Sequence, residues 1–291
     1  MVTVSSRELD LATTSLGPPA FCRQGAALYC GDSLDLMQRL PEGIVSLTVT
    51  SPPYNIGKEY ETTLALDKYL DWSAQWIREV YRITKPNGAL WLNLGYLELP
   101  GRAKALPIPY LLWQRIPFFI VQEIVWNYGA GVAGKRFFSP RNEKFLWCVK
   151  DPQEYKFYLD RIRDKNVKYP NQRKNGKLKC NPNGKNPTDV WQIPKVTSGE
   201  NRASKERTEH PAQFPVALVA RIVEACSDER DLVLDPFVGS GSTAEVCLRY
   251  KRCLLGFEIV PRYIKLAGRR LTQYLQGKQD AAAQGTLFPR V

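Results

Sequence analysis

The chain has 291 residues, 44% hydrophobic and 24% charged, which makes one large folded unit or one unit with a sizeable insertion. A chain of this size buries about 75% of its unfolded surface, so it needs no disulfide or metal staple, and its composition excludes a disordered chain. The apolar stretch 116–126 is broken by Gln122 and Glu123 and is too short to span a bilayer, while 41 Lys plus Arg against 29 Asp plus Glu, a net +12, point to a polyanionic partner: nucleic acid or a membrane surface.

Residues 1–24 read as an irregular lead-in. They lack a basic start followed by an apolar run, so no secretory leader is expected and the cytoplasm is the expected compartment. Short apolar, β-branched runs then predict strands at 27–30, 45–50, 89–94, 119–126, 145–149, 232–234 and 253–257. Their near-continuous apolar character predicts burial on both faces. Between them, 67–83 places Tyr69, Leu70, Trp76, Ile77, Val80 and Tyr81 on one helical face and stops at a Lys85-Pro86-Asn87-Gly88 turn. Helices are also expected over 215–226, with Pro215 at its first position, 242–250 and 262–276. This alternation predicts an α/β fold with a doubly wound, mostly parallel, seven-stranded sheet.

The middle of the chain differs. Residues 151–207 are dense in Asn, Gly, Pro and Lys and show no period, which predicts an inserted, loop-rich module. From Lys156 to Arg207 there are fourteen basic and five acidic residues, so most of the net charge sits here. By itself such a charge run is more often a solvated loop than a binding surface. The chain therefore divides into 25–150, the insertion 151–207, a second half 208–276 and a polar, flexible tail 277–291. None of the seven cysteines forms a C-x-x-C pair and His210 is the single histidine, so no metal site is expected and the thiols are expected to be reduced.

Two motifs carry chemistry. Asp235-Pro236-Phe237-Val238-Gly239-Ser240-Gly241-Ser242-Thr243 runs from a strand through a glycine loop into a helix, and Glu258 follows at the end of the next strand. Glycines admit close approach of a ligand to backbone, and the acid sits where nucleotide-binding α/β folds hold a ribose. Taken alone, the loop reads equally as a tight turn. No Lys follows the glycines, so it is not a phosphate-cradling loop. Thr50-Ser51-Pro52-Pro53-Tyr54-Asn55 leaves another strand; its prolines stiffen a turn whose oxygens can accept from an amino group and whose ring can stack on a flat base. Alone, it reads equally as a packed Pro-Pro loop. Asp32, Ser51, Asp235 and Glu258 each follow a predicted strand, so they converge on one edge of the sheet.

Together these motifs resemble the β-class DNA amino-methyltransferases that use S-adenosylmethionine (AdoMet), of restriction–modification type. Ser51-Pro52-Pro53-Tyr54 is similar to their catalytic motif and Asp235 to Gly241 to their AdoMet loop; the order, with the catalytic motif first, matches that class. Gly31-Asp32 resembles the motif whose Asp meets the cofactor adenine. His210-Pro211-Ala212-Gln213-Phe214-Pro215 resembles an H-P-x-Q-x-P motif beside the methionine end, with Ala212 and Phe214 departing from it. Lys85 to Gly88 resembles a K-P-G-G turn, and Arg141 to Trp147 a strand near the target base.

The resemblance implies a Rossmann-like AdoMet methyltransferase fold. It implies catalytic roles for Ser51, Pro52, Pro53 and Tyr54, and cofactor contacts from Asp32, Asp235, Pro236, Phe237, Gly239, Ser240, Gly241, Thr243, Glu258, His210 and Pro211. The expected reaction moves a methyl group from S-adenosyl-L-methionine to an exocyclic amine of a base flipped out of double-stranded DNA. Ser51 and the Pro52 carbonyl accept its N–H groups and the Tyr54 ring, rather than its hydroxyl, stacks on the base. In this family Ser at the first motif position accompanies cytosine N4, and Asp or Asn adenine N6, so N4 is expected and N6 is the alternative. Further alternatives are an RNA or protein-glutamine methyltransferase and a non-catalytic nucleic-acid-binding relative. No Pro-Cys dipeptide occurs, which disfavours cytosine C5 chemistry. Residues 151–207 become the target-recognition region, with Arg173, Lys174, Lys177, Lys179 and Arg202 at the DNA. A cognate restriction endonuclease acting on the same site without stable contact is a possible partner, no membrane contact is expected, and monomer or homodimer stays open.

Overall fold

A computed structural model describes residues 5–129, 131, 133–196 and 204–283. The first half runs α1 (Arg7–Leu16), β1 (Phe21–Arg23), β2 (Ala26–Cys30), α2 (Ser33–Gln38), β3 (Val45–Thr50), α3 (Leu66–Ile83) and β4 (Thr84–Leu94). A hairpin of β5 (Tyr96–Leu99) and β6 (Ala103–Pro107), the short α4 (Ile108–Leu112), β7 (Phe119–Asn127) and β8 (Asn142–Val149) follow. The basic segment contributes β9 (Arg173–Lys174), β10 (Lys177–Leu178) and β11 (Val190–Gln192). The chain then completes α5 (Val216–Cys226), β12 (Leu232–Asp235), α6 (Ser242–Arg249), β13 (Cys253–Glu258) and α7 (Pro261–Ala283).

Nine strands form one sheet in the order β1-β2-β13-β12-β3-β4-β8-β7-β11. From β2 to β4 every neighbouring pair is parallel, β8 runs antiparallel between β4 and β7, and β11 lies parallel to β7. The seven expected strands are all present in this mostly parallel sheet; the two extra ones, β1 and β11, are three-residue edges too short to show a period. The chain winds outward in both directions from the β3–β12 pair, so a crevice opens beyond Thr50 and Asp235, where open α/β sheets hold ligands. Both faces are covered: all six residues of β3 are buried, and Trp91 stacks on Trp147 and Trp191 with centroids 5.3 and 5.5 Å apart.

Three local expectations are corrected, and the inserted segment is located. The expected irregular lead-in holds a helix, α1, because Leu9, Ala12 and Leu16 give it a buried stripe and Ser6 caps it by accepting from the Leu9 N–H at 3.2 Å. Lys85 to Gly88 are not a turn after α3. Val45 pairs with Thr84 and Leu47 with Ala89, so these residues bulge out of β4, and a Cβ on Gly88 would lie 3.0 Å from the Ser46 carbonyl oxygen. The loop-rich segment 151–207 is held to the body through residues 156–158 and through β11. Lys156 bridges Asp228 at 3.1 Å and Asp231 at 2.6 Å, the Tyr158 hydroxyl donates to Asp228, and β11 extends the sheet. The tail does not begin at 277, since α7 continues to Ala283. No helix among the described residues is long and apolar enough to cross a membrane.

Candidate active site

At the end of β12 the Asp235 carboxylate is buried and accepts three hydrogen bonds. It accepts from the Thr50 hydroxyl (2.8 Å), the Phe237 N–H (3.2 Å) and the Thr243 hydroxyl (2.6 Å). One side chain thus joins β3, the glycine loop and the start of α6; its burial pushes its pKa up to about 6. The Gly239 N–H donates to Glu258 at 3.1 Å, and the other Glu258 oxygen accepts from the Val260 N–H at 2.9 Å. Gly239 has φ +48°, and a Cβ there would sit 2.9 Å from His210 Nε2, so conformation and space both demand glycine.

His210 is buried behind that loop. It stacks on Tyr60 at 5.7 Å, meets the edge of Tyr263 at 4.4 Å and places Nδ1 2.6 Å from the Ala212 carbonyl. Desolvation lowers its pKa to about 4, so the ring is neutral at neutral pH. Gln213 of the same motif accepts from the Thr208 N–H and hydroxyl and donates to the Glu206 carbonyl, fixing the chain entering α5. Phe237 packs edge-on against Trp76 at 5.2 Å. Asp32 caps α2 by accepting from the Leu34 and Asp35 N–H groups, beside the end of β13 where the Gly31 N–H meets the Glu258 carbonyl.

Across the crevice, the Ser51 and Tyr54 hydroxyls lie 2.8 Å apart. The Tyr54 hydroxyl donates to Glu143 Oε2 at 3.0 Å, and the Asn93 amide donates to both the Tyr54 oxygen (2.6 Å) and Glu143 Oε2 (2.5 Å). The Tyr54 hydroxyl, given no role in the sequence reading, thus joins three partners. One ring edge presses on Gly95, where a Cβ would lie 2.8 Å from Cε2. Burial and the Glu143 charge raise the Tyr54 pKa well above its usual value, and burial raises that of Glu143. The Pro53 carbonyl accepts from Tyr69, and the loop beyond is shaped by Asn55 (φ +61°) paired with Leu64 and by Glu61 accepting three backbone N–H groups.

One cavity of about 1040 Å³ runs between these two halves, from Asp32 and Glu258 to Ser51, Tyr54 and Glu143. It is lined by the predicted catalytic and cofactor residues except Gly241, which instead caps α6 with φ +79°. Arg173, Lys174, Lys177 and Lys179 do not line it. They are exposed on the β9–β10 hairpin, turned by Asn175 and Gly176 at φ +50° and +75°. Arg202 lies outside the described residues. Sequence reasoning missed the Asn93–Tyr54–Glu143 cluster and the β7–β8 connection, which exposes Phe138 completely at the same sheet edge. The legible signal was the polar start Asn142-Glu143-Lys144 of a strand that is apolar from Phe145 onward.

A family model described as DNA methylase, covering N6 and N4 methyltransferases, matches residues 45–269. The chain belongs to this family. It is a Type II DNA methyltransferase of the β class whose methyl donor is S-adenosylmethionine. The Type II methyltransferase M.ScaI of Streptomyces caespitosus is 57% identical over 257 residues, 88% of this chain and 84% of its own. The DNA adenine methyltransferase YhdJ of Escherichia coli (strain K12) is 32% identical over 272 residues, 89% of this chain and 86% of its own. The solved PvuII DNA methyltransferase (cytosine-N4-specific) superposes with a TM-score of 0.69 over 89% of this chain and 94% of its own; at 21% identity that likeness is one of fold. The cavity of the methyltransferase fits the donor. Its volume of about 1040 Å³ admits a nucleoside with an amino-acid arm, and its wall joins the buried Glu258 carboxylate to the apolar, 58% exposed Ile259.

Proposed function

We propose that the methyltransferase modifies the exocyclic N4 of cytosine at a specific site in duplex DNA. In this reading it works in the cytoplasm and shields that site from a cognate restriction endonuclease. The observation that carries N4 is the hydroxyl of Ser51 at the first position of the Ser-Pro-Pro-Tyr turn, lining the cofactor cavity. The cofactor supplies an electrophilic methyl group when bound. Glu258 and Asp32 would hold its ribose and adenine, and the Gly239 to Gly241 loop, locked by Asp235, lets it approach the backbone.

On the substrate side, the amino lone pair of a base is delocalised into the ring and must be localised on nitrogen. Ser51 Oγ and the Pro52 carbonyl accept its two N–H groups, and the Tyr54 ring packs against the base. Positioning and fixed dipoles then lower the barrier without a covalent enzyme intermediate. The base reaches this cavity by flipping out of the duplex.

The relative named as an adenine methyltransferase keeps adenine N6 as the second reading. Single-molecule sequencing of DNA from methylation-free cells expressing the chain tests the choice. N4-methylcytosine at one recurring motif is expected; N6-methyladenine at one motif would reverse the assignment.

The exposed hairpin and its neighbours in 151–207 form the proposed target-recognition surface. Replacing Lys174, Lys177 and Lys179 by alanine should weaken DNA binding and lower the salt dependence of log K by about one unit of slope per lost phosphate contact. An unchanged slope in a binding titration over 50–200 mM salt, roughly the range where such losses are large, would make these lysines a solvated loop.

A further inference from the structure

We propose that Glu143, acting through Tyr54, sets the direction of the hydrogen bonds around Ser51 so that Ser51 meets the target amine as an acceptor. This rests on the Ser51 role proposed above. The argument is a count of hydrogens. A serine hydroxyl can donate or accept, and only a serine that has already given its proton elsewhere turns lone pairs to an N–H group.

Asn93 comes first. It is fully buried, and its amide group lies within 2.6 Å of the Tyr54 oxygen and 2.5 Å of Glu143 Oε2. The carboxylate forces the NH₂ end to face it, so both amide hydrogens are used. Asn93 Oδ1 is left buried with no hydrogen-bond partner, an unusual cost for a core residue. Tyr54 comes next, with one hydrogen and room to accept twice. Burial opposes ionisation of Glu143, and the hydrogen bonds from Asn93 and Tyr54 favour it; in that ionised form the carboxylate cannot donate, so the Tyr54 hydrogen goes to Glu143 Oε2, 3.0 Å away. The Tyr54 oxygen already accepts from Asn93, and Ser51 Oγ, 2.8 Å away, can only donate to what remains. Ser51 therefore points its hydrogen at Tyr54 and its lone pairs elsewhere, toward the cavity it lines.

Each partner is drawn from a different element: β4, β8 and the turn after β3. Glu143 is a positioning residue in this scheme, not a group that touches the reacting atoms. Without an acceptor at its place, the Tyr54 hydrogen is free to swing to Ser51. The Ser51 hydrogen then faces the amine, and two donors oppose each other.

The test is single-turnover methyl transfer at saturating DNA and AdoMet, with AdoMet affinity measured by calorimetry on the same full-length variants. Glu143→Met should slow transfer about 100-fold with AdoMet affinity unchanged, the size typical of losing one oriented polar contact at a reacting centre. Glu143→Gln keeps an acceptor oxygen and should retain the rate to within about tenfold, which a mere packing role would not distinguish from Met. In a Ser51→Ala background, Glu143→Met should add almost nothing, because the residue being oriented is gone. Tyr54→Phe, which breaks the bridge without emptying the Glu143 site, should behave like Glu143→Met if that variant fails to fold. A wild-type rate for Glu143→Met, or a loss that adds fully to that of Ser51→Ala, overturns this inference while leaving the Ser51 role intact. A wild-type rate for Ser51→Ala alone overturns the underlying reading instead.

Discussion

Ser51→Ala should remove most methyl transfer, by about 10²- to 10³-fold in the single-turnover rate, while AdoMet affinity stays near that of the parent. The reason is position. Ser51 Oγ lines the cavity 2.8 Å from the Tyr54 hydroxyl, in the turn after β3 and not in the glycine loop, and in the proposed reading it meets the target amine rather than the cofactor. Its hydrogen bond to the amine strengthens as nitrogen turns tetrahedral, so the loss falls on the chemical step. The side chain is small and partly exposed, and its removal opens no core cavity. Transfer at the parental rate in a quenched-flow assay would show that the Ser-Pro-Pro-Tyr turn is structural.

Glu258→Ala and Asp235→Ala should both weaken AdoMet binding, and for different reasons. Glu258 offers its carboxylate at the cavity wall and holds the Gly239 and Val260 N–H groups. Losing a hydrogen bond to a charged acceptor costs about 1.5–3 kcal/mol, or roughly 10- to 100-fold in affinity. Asp235 spends three of its acceptor positions on Thr50, Phe237 and Thr243, so most of its effect is to hold the loop. Its replacement should loosen the glycine loop and lower thermal stability as well, since two buried threonine hydroxyls lose their acceptor. Calorimetry and a thermal melt separate the two: affinity falls in both variants, and the melting temperature falls more for Asp235→Ala. Unchanged affinity in both, with the proteins folded, would remove Asp235 and Glu258 from the cofactor site.

Much of this was legible in local sequence because the relevant signals are local. A strand of apolar residues followed at once by a polar residue marks the carboxyl edge of a parallel sheet, so Asp32, Ser51, Asp235 and Glu258 announced one rim before any fold was known. Glycines at Gly239 and Gly241 announced the loop, and their positive φ values give the reason. The helix over α3 was legible down to its buried Tyr69, Leu70, Trp76, Ile77 and Val80, because its period is strong over five turns.

What local pattern could not carry is anything fixed by register or by partners far apart in the chain. The bulge at Lys85 to Gly88 looks like a turn because Pro, Asn and Gly favour turns; only pairing with β3 makes it part of a strand. β11 has three residues and no period, and it is a strand because β7 offers it an edge and Trp91 a stacking face. Asp235 was legible as a site residue, but that it also ties the loop to β3 depends on Thr50, 185 residues away in the chain. The same holds for Ser51. Its presence and chemistry are written in the sequence, whereas the direction of its hydrogen bond is decided by Asn93 and Glu143, brought 39 and 89 residues to Tyr54 by the order of β3, β4 and β8 in the sheet. Residue type sets what a side chain can donate or accept, and tertiary packing alone sets which of those it does.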